Sequence, residues 1–319
     1  MELSRKRQDM IKAAKLYYYG NMSQDEIAGM MGISRPKVSR LLTEARQIGV
    51  VKVSVSDPSG TTEEMAERIR GTFGLRQVII VPSGANEDMA KVNVGRAASD
   101  FLNENIRPDS KIGMSWGTTL STFAREFRAR EPYPEARVVQ MVGGTYSQSL
   151  NIDARELVKT ISGKLQCRHS ILHAPLLVHN PTLRDLVMQE PAAVEHFEYI
   201  RTLDMAFVGI GTAGRDAVAV RANYITEEEV KKLGEIGMVA DLCGHQLTAD
   251  GQAPETFLSN RVVGITPAQL RSIPLVAGLC VGHRKTEPIL AVLRGHYVNC
   301  LIIDEVAAIS LLAALDAEG

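Results

Sequence analysis

Hydrophobic positions along the first fifty residues recur at helical spacing and are interrupted by glycines. Met10, Ala13, Ala14, Leu16 and Tyr17 fall on one face of a helix that Gly20 ends. Ser23 then opens a second helix, with Glu26 as its capping-box partner, and Ile27, Met30 and Met31 point inward. Gly32 turns the chain through positive φ. Ser34 caps a third helix that tolerates Pro36 in its first turn. Val38, Leu41, Leu42 and Ala45 form its buried stripe, and Gly49 closes it. Val51, Val53 and Val55 then alternate with Lys52, Ser54 and Ser56, a short strand with one polar face. Asp57–Gly60 is a turn-forming hinge. The stretch 61–74 predicts a linker helix with Met65, Ile69 and Phe73 on one side, of the kind that pairs with its twin across a dimer.

From Gln77 the period changes, and apolar runs alternate with helical patterns. Strands are predicted at 77–82, 111–116, 136–144, 204–211, 274–282 and 299–304. Helices are predicted at 89–106, 118–127, 153–165, 182–202 with a break at Pro191, 227–237, 287–295 and 305–315. Residues 238–252 read as a hairpin insertion. The strand runs are apolar on both faces, so the sheet is mostly parallel and covered on both sides. The expected class is α/β: a small helical unit over 1–57, then a larger doubly wound domain over 58–319.

The front unit has the spacing of a helix-turn-helix. Ala28 is small where two helices meet, Gly32 lies at the turn, and Ile27, Met31, Ile33, Val38 and Leu41 fill the inward positions. Arg35, Lys37, Ser39 and Arg40, following the cap at Ser34, then lie where base edges and phosphates would be. The strand after it is either a wing lying on DNA through Lys52 or a plain connector. Charge agrees with the DNA reading. Residues 1–57 hold ten Lys or Arg against six Asp or Glu, while the remainder holds 26 against 31. That excess disfavours a third reading, in which the helix pair binds protein. A core is available, with 45% hydrophobic residues, but only 5% aromatic ones, so aliphatic side chains must fill it. Cys167, Cys243, Cys280 and Cys300 show no CxxC pairing and read as buried free thiols in a reducing cytoplasm. The cluster Cys167, His169, His173 has no partner cluster, so core packing is favoured over a metal. No run reaches the length of a membrane span.

Ligands of such sheets bind beyond the carboxyl ends of the strands. Ser115–Thr119 follows one strand and opens a helix. Its N–H groups, with Thr118 and Thr119 hydroxyls, suit an anion. Gly143–Tyr146, Gly209–Thr212 and Gly282–Lys285 follow three others, the last beginning a helix with Lys285 as a point charge. Asp241, flanked by apolar residues, suits sugar hydroxyls. No GxSxG, P-loop or dinucleotide fingerprint stands in context, so catalytic, cofactor and metal residues are expected to be none.

Across nearly its whole length the chain resembles the SorC/DeoR-type sugar-sensing transcriptional regulators of bacteria. The resemblance rests on residues 14–53 and on "GMSWGTT", "VVQMVGG", "FVGIGT", "VADLCG" and "GHRKTEPILAVLRGHYVNCLIID", in family order. It implies a winged helix-turn-helix joined to an effector domain like the sugar-phosphate isomerases, glucosamine-phosphate deaminases and CoA transferases. It also implies a homo-oligomer, dimer or tetramer, that changes its grip on double-stranded operator DNA when a sugar, polyol or sugar phosphate binds. By the resemblance, Ser115, Gly117, Thr118, Thr119 and Lys285 hold the phosphate or its neighbours, while Val142, Gly143, Gly144, Gly211 and Asp241 surround the sugar. Members that sense deoxyribose phosphate form a Schiff base on a lysine directly before the Gly-Gly; here that residue is Val142. Lys159 and Lys164, in the following helix, are expected to face solvent. The competing function is a sugar-phosphate isomerase or deaminase with an appended helix-turn-helix, but such an enzyme needs no recognition helix at Ser34–Arg40.

Overall fold

In a computed structural model, residues 2–20, 22–48, 50–51, 61–144, 152–215, 217–221 and 224–318 are described. The chain divides into two compact units, one built on Met1–Ser59, the other on Gly60–Ser83 and Glu87–Gly319.

The smaller unit holds α1 (Glu2–Tyr18), α2 (Gln24–Met31) and α3 (Arg35–Gln47). The Ser23 hydroxyl accepts the Glu26 N–H at 3.3 Å, and the Glu26 carboxylate accepts the Ser23 N–H at 2.8 Å. Such a box satisfies donors that the first turn leaves open, worth about 1 kcal/mol. Gly32 closes α2 at φ +62°, and the Ser34 carbonyl accepts the first N–H groups of α3, from Lys37 and Val38. Met10, Ala13, Ala14, Ile27, Val38, Leu41, Leu42 and Ala45 form the core. One inward expectation fails: Met30 is 58% exposed. Ile27 already fills the space between α2 and α3, and Met30, three positions on, points past it. Gly49, the strand at 51–55 apart from Val51, Lys52 and the hinge lie outside the described residues.

The larger unit runs α4 (Thr62–Phe73), β1 (Gln77–Val81), α5 (Glu87–Asn105), β2 (Lys111–Met114), α6 (Thr118–Glu126), β3 (Arg137–Gln140), α7 (Ala154–Leu165) and β4 (Arg168–Ser170). It continues with α8 (Pro181–Gln189), α9 (Pro191–Ile200), β5 (Met205–Gly209), β6 (Gly211–Thr212), α10 (Val218–Arg221), α11 (Glu227–Glu235), β7 (Met238–Leu242) and β8 (His245–Thr248). It ends with α12 (Pro267–Arg271), β9 (Leu275–Cys280), α13 (Thr286–Arg294), β10 (Cys300–Asp304) and α14 (Glu305–Glu318).

Among the described residues seven strands form one parallel sheet, ordered β1-β10-β9-β5-β2-β3-β4. Successive strand residues belong to opposite cores. Leu301 and Ile303 belong to the core that also takes in residues of α4, α9, α13 and α14, while Cys300 and Ile302 belong to the core shared with α5, α6 and α7. This double burial is why the strands read as unbroken apolar runs. The connections from β2 run toward β3 and β4, and those from β5 run toward β9 and β10. The sheet therefore reverses its winding between β2 and β5, where such folds open a ligand crevice. β6, β7 and β8 form a separate antiparallel sheet that contains the predicted hairpin.

Two features add to the pattern. β4 was not apparent from the pattern, because Arg168 and His169 of this edge strand are exposed and its apolar content is low. The predicted linker helix docks on its own domain: Ile69 is buried, and Met65 and Phe73 pack against the same core. The Arg68–Asp316 ion pair also ties α4 to α14. Among the described residues no helix is long and apolar enough to cross a membrane.

Candidate functional site

The carboxyl ends of β2, β5 and β9 surround a cavity of about 1100 Å³ at the reversal of winding. After β2, Gly117 adopts φ +127° and precedes α6 without any side-chain cap. The first N–H groups of α6 are thus left to a ligand or water, with the positive end of the helix behind them. After β9, Gly282 adopts φ +85° and leads into a short 3₁₀ turn, His283–Lys285, and then α13. The buried Asp304 carboxylate sets this loop, accepting the Gly282 N–H at 2.7 Å and the Ser83 hydroxyl at 2.6 Å.

After β5, Gly211 pairs across β6–β7 with Asp241. A Cβ on Gly211 would lie 3.2 Å from the Asp241 Cβ, so glycine leaves the carboxylate its place. Asp241 accepts a hydrogen bond from Gln246 Nε2 at 3.2 Å, and Thr256 Oγ1 orients that amide by donating to its oxygen at 3.0 Å. Burial pushes the Asp241 carboxyl up to about 6, against the opposing pull of Gln246, the Gly244 N–H and the Lys285 charge. The β7–β8 turn places Cys243 at φ +56°, and its thiol donates to the Ser115 hydroxyl at 3.4 Å.

Of the predicted effector residues, the structure brings Gly117, Thr118, Thr119, Gly211, Asp241 and Lys285 onto this cavity. It does not bring Ser115, Val142, Gly143 or Gly144 there. Ser115 is buried against Cys243. Val142 is fully buried and bridges Gly264, so its side chain packs inside instead of forming a wall. Gly143 and Gly144 exchange backbone hydrogen bonds with Val263, Ala174 and Leu176. Thr145 and Tyr146 lie outside the described residues. Lys164 is a correction too. Its ammonium donates to the carbonyls of Ala124, Arg125 and Phe127 at 2.7–3.0 Å, neutralising the negative end of α6, and burial lowers its pKa.

The pattern also passed over cavity cations. Lys91, Arg215, Arg221 and Arg284 line it beside Lys285. Arg215 and Arg221 sit in the stretch between β6 and α11, Arg215 three residues past the strand end, and that placement was the available signal. At Cys167, burial pushes the thiol up to about 11, and His169 Nδ1 bonds Ser162 Oγ at 3.2 Å. Among the described residues no three His, Cys, Asp or Glu cluster in metal-holding fashion.

In the smaller unit Arg35, Lys37, Ser39 and Arg40 are all exposed along α3. Arg35 pairs loosely with Asp25 at 3.6 Å, and Lys6 ties α1 to α3 through Glu44 at 2.6 Å.

Comparison with known proteins adds to this geometry. Residues 56–313 match a family of sugar-binding domains, and residues 3–47 match region 4 of sigma-70. The chain is 30% identical to the deoxyribonucleoside regulator of Bacillus subtilis, over 96% of this chain and 98% of that protein. It is 27% identical to the transcriptional regulator LsrR of an Enterobacter strain, over 95% of this chain and 92% of that one. The full-length sorbitol operon regulator SorC of Klebsiella pneumoniae superposes with a TM-score of 0.74 at 27% identity, covering 95% of this chain and 97% of that one.

Proposed function

The chain belongs to the sugar-binding family of bacterial transcriptional regulators, and from that membership we propose that the cavity at β2, β5 and β9 takes a small sugar, polyol or sugar phosphate that governs its hold on operator DNA. It is a DNA-binding regulator of sugar-operon type, with a helix-turn-helix region in front and a sugar-binding domain behind. The observation that carries the proposal is the meeting of two glycine-led loops, Lys285 and Asp241 in one cavity. The uncapped start of α6 and Lys285 hold the anionic end of the ligand. Asp241, backed by Gln246, accepts from hydroxyls at the other end. In this reading the ligand is held without a covalent bond, since no lysine precedes the Gly143–Gly144 pair, where Val142 lies packed off the cavity.

The same reading makes the chain a sensor, not an enzyme. Cys280 lies on the cavity wall, but burial pushes its thiol up to about 12, which makes a poor nucleophile. The outer face of α3, with Arg35, Lys37, Ser39 and Arg40, enters the major groove, with Ser34 at its start. A dimer or tetramer in the cytoplasm, reading paired half-sites, completes the proposal.

Trp116, on the cavity wall, gives the test a direct readout of occupancy. The Thr118→Ala/Lys285→Ala protein should bind operator DNA as the parent does, while its tryptophan response to sugar and polyol phosphates falls by about a hundredfold in affinity. A double variant that still answers the parent's ligand at the parent's concentration would place the effector elsewhere.

A further inference from the structure

Glu87 stands on the cavity wall at the start of α5, among cations. Its Oε1 lies 2.6 Å from Lys91 Nζ one turn along the helix. Lys285, from the loop after β9, and Arg221, at the end of α10, line the same cavity. The two partners of the ion pair are not equivalent. The Lys91 side chain is 15% exposed, whereas that of Glu87 is 70% exposed. The ammonium is anchored, and the carboxylate is solvated on its open side. Lys91 above all, then Lys285 and Arg221, hold the Glu87 carboxyl below the usual carboxylate range.

An i,i+4 Glu–Lys pair on a helix commonly does no more than support that helix by a few tenths of a kcal/mol. This pair is different in place. It faces a ligand cavity, and cations from two other elements bear on the same carboxylate.

We propose that Glu87 is a built-in counter-ion of the cavity, which holds Lys91 and offsets the pull of Lys285 and Arg221 while the site is empty, and which an anionic ligand group must displace. The inference rests on the effector reading above and adds its selectivity. A neutral sugar gains nothing from competing with Glu87 for Lys91. A dianionic phosphate brings more charge than the carboxylate it displaces, and Glu87 then turns to water at little cost. Glu87 thereby raises the threshold for weak anions and leaves dianionic ligands as the ones that bind.

The full-length parent and Glu87→Gln are titrated at pH 8 with inorganic phosphate, sorbitol 6-phosphate and sorbitol, reading Trp116 fluorescence and melting temperature. Glutamine keeps the shape and removes the charge. The expected result is tighter binding of both phosphates by Glu87→Gln, about five- to tenfold, with sorbitol unchanged. The gain should shrink at high salt. Weaker binding of sorbitol phosphate with inorganic phosphate unchanged would mean that Glu87 receives a ligand hydroxyl, and would overturn the proposal. Equal affinities in both proteins would reduce the pair to helix support and overturn it as well, while leaving the effector reading intact. Absence of any response to all three probes in both proteins would overturn the effector reading together with this one.

Discussion

A Cβ placed on Gly117, after β2, would meet no atom within 4 Å, whereas one placed on Gly143, after β3, would lie 2.3 Å from the carbonyl oxygen of Pro175. Both glycines follow parallel strands that neighbour each other in the sheet. Both stand in motifs that carry the family resemblance. At Gly117 glycine is needed for conformation, because φ is +127° and the space beyond is open to a ligand. At Gly143 it is needed for contact, because the backbone presses on the 174–176 segment and donates to Val263. The β2 loop is a rim left bare; the β3 loop is a joint packed shut.

The largest effect expected from this difference is on folding. Gly143→Ala must move Pro175 backbone, which has no rotamer to yield. It should destabilise the protein by about 3 kcal/mol or more, read as a lowered denaturation midpoint in urea. Gly117→Ala meets no atom, so its penalty is the left-handed backbone alone, about 1–2 kcal/mol, and its main effect should be on ligand affinity. Equal losses of stability in the two variants would erase the distinction.

The two glycines also show how far a pattern of residues reaches. The strands were legible because burial on both faces leaves apolar side chains at every position, as in Leu301, Ile302 and Ile303. The start of α2 was legible because Ser23 and Glu26 carry their own capping geometry. A glycine after a strand, by contrast, states that a side chain is unwelcome and not why, so Gly143 and Gly117 look alike until Pro175 is placed. The stripe of Met65, Ile69 and Phe73 likewise requires an apolar partner but does not name it, and the partner is the chain's own core. Arg215 stands in a loop, and Arg221 ends the four-residue α10, too short to show a period that would have pointed it inward. Lys164 was misjudged because its partners are carbonyls at the end of another helix.

Asp241 inverts the first case. Gly143→Ala should lose stability and spare the rim, while Asp241→Asn should lose the ligand and gain stability. The folded-state value of about 6 lies above the ordinary 3.8. The folded protein therefore holds this proton more tightly than the unfolded chain. The stabilisation that this brings is complete below about pH 4 and lost as pH rises through 6. Above that, the ligand-free parent carries a desolvated charge that costs about 2–3 kcal/mol. Asparagine keeps an acceptor for Gln246 without the charge. The stability gap between Asp241→Asn and the parent should open between pH 4 and 7, in chemical denaturation at each pH. A gap independent of pH would mean that the carboxylate is not desolvated.

Ser115 sharpens the boundary between rim and joint at its finest. It belongs by sequence to the β2 loop that opens the cavity, yet it is 1% exposed and takes the Cys243 thiol instead of facing the ligand space. A thiol is a weak donor, and Cys243 is undercharged for any other task because burial pushes it up to about 12. Removing the acceptor with Ser115→Ala should therefore cost less than about 1 kcal/mol of stability. Ligand affinity should change less than twofold, since Thr118 and Thr119 keep their N–H groups on α6. A tenfold loss of affinity with stability intact would move Ser115 onto the rim. It would also mean that the Cys243 turn positions the β2 loop, so that the hairpin carrying Asp241 and the helix start proposed to hold the anion work as one unit.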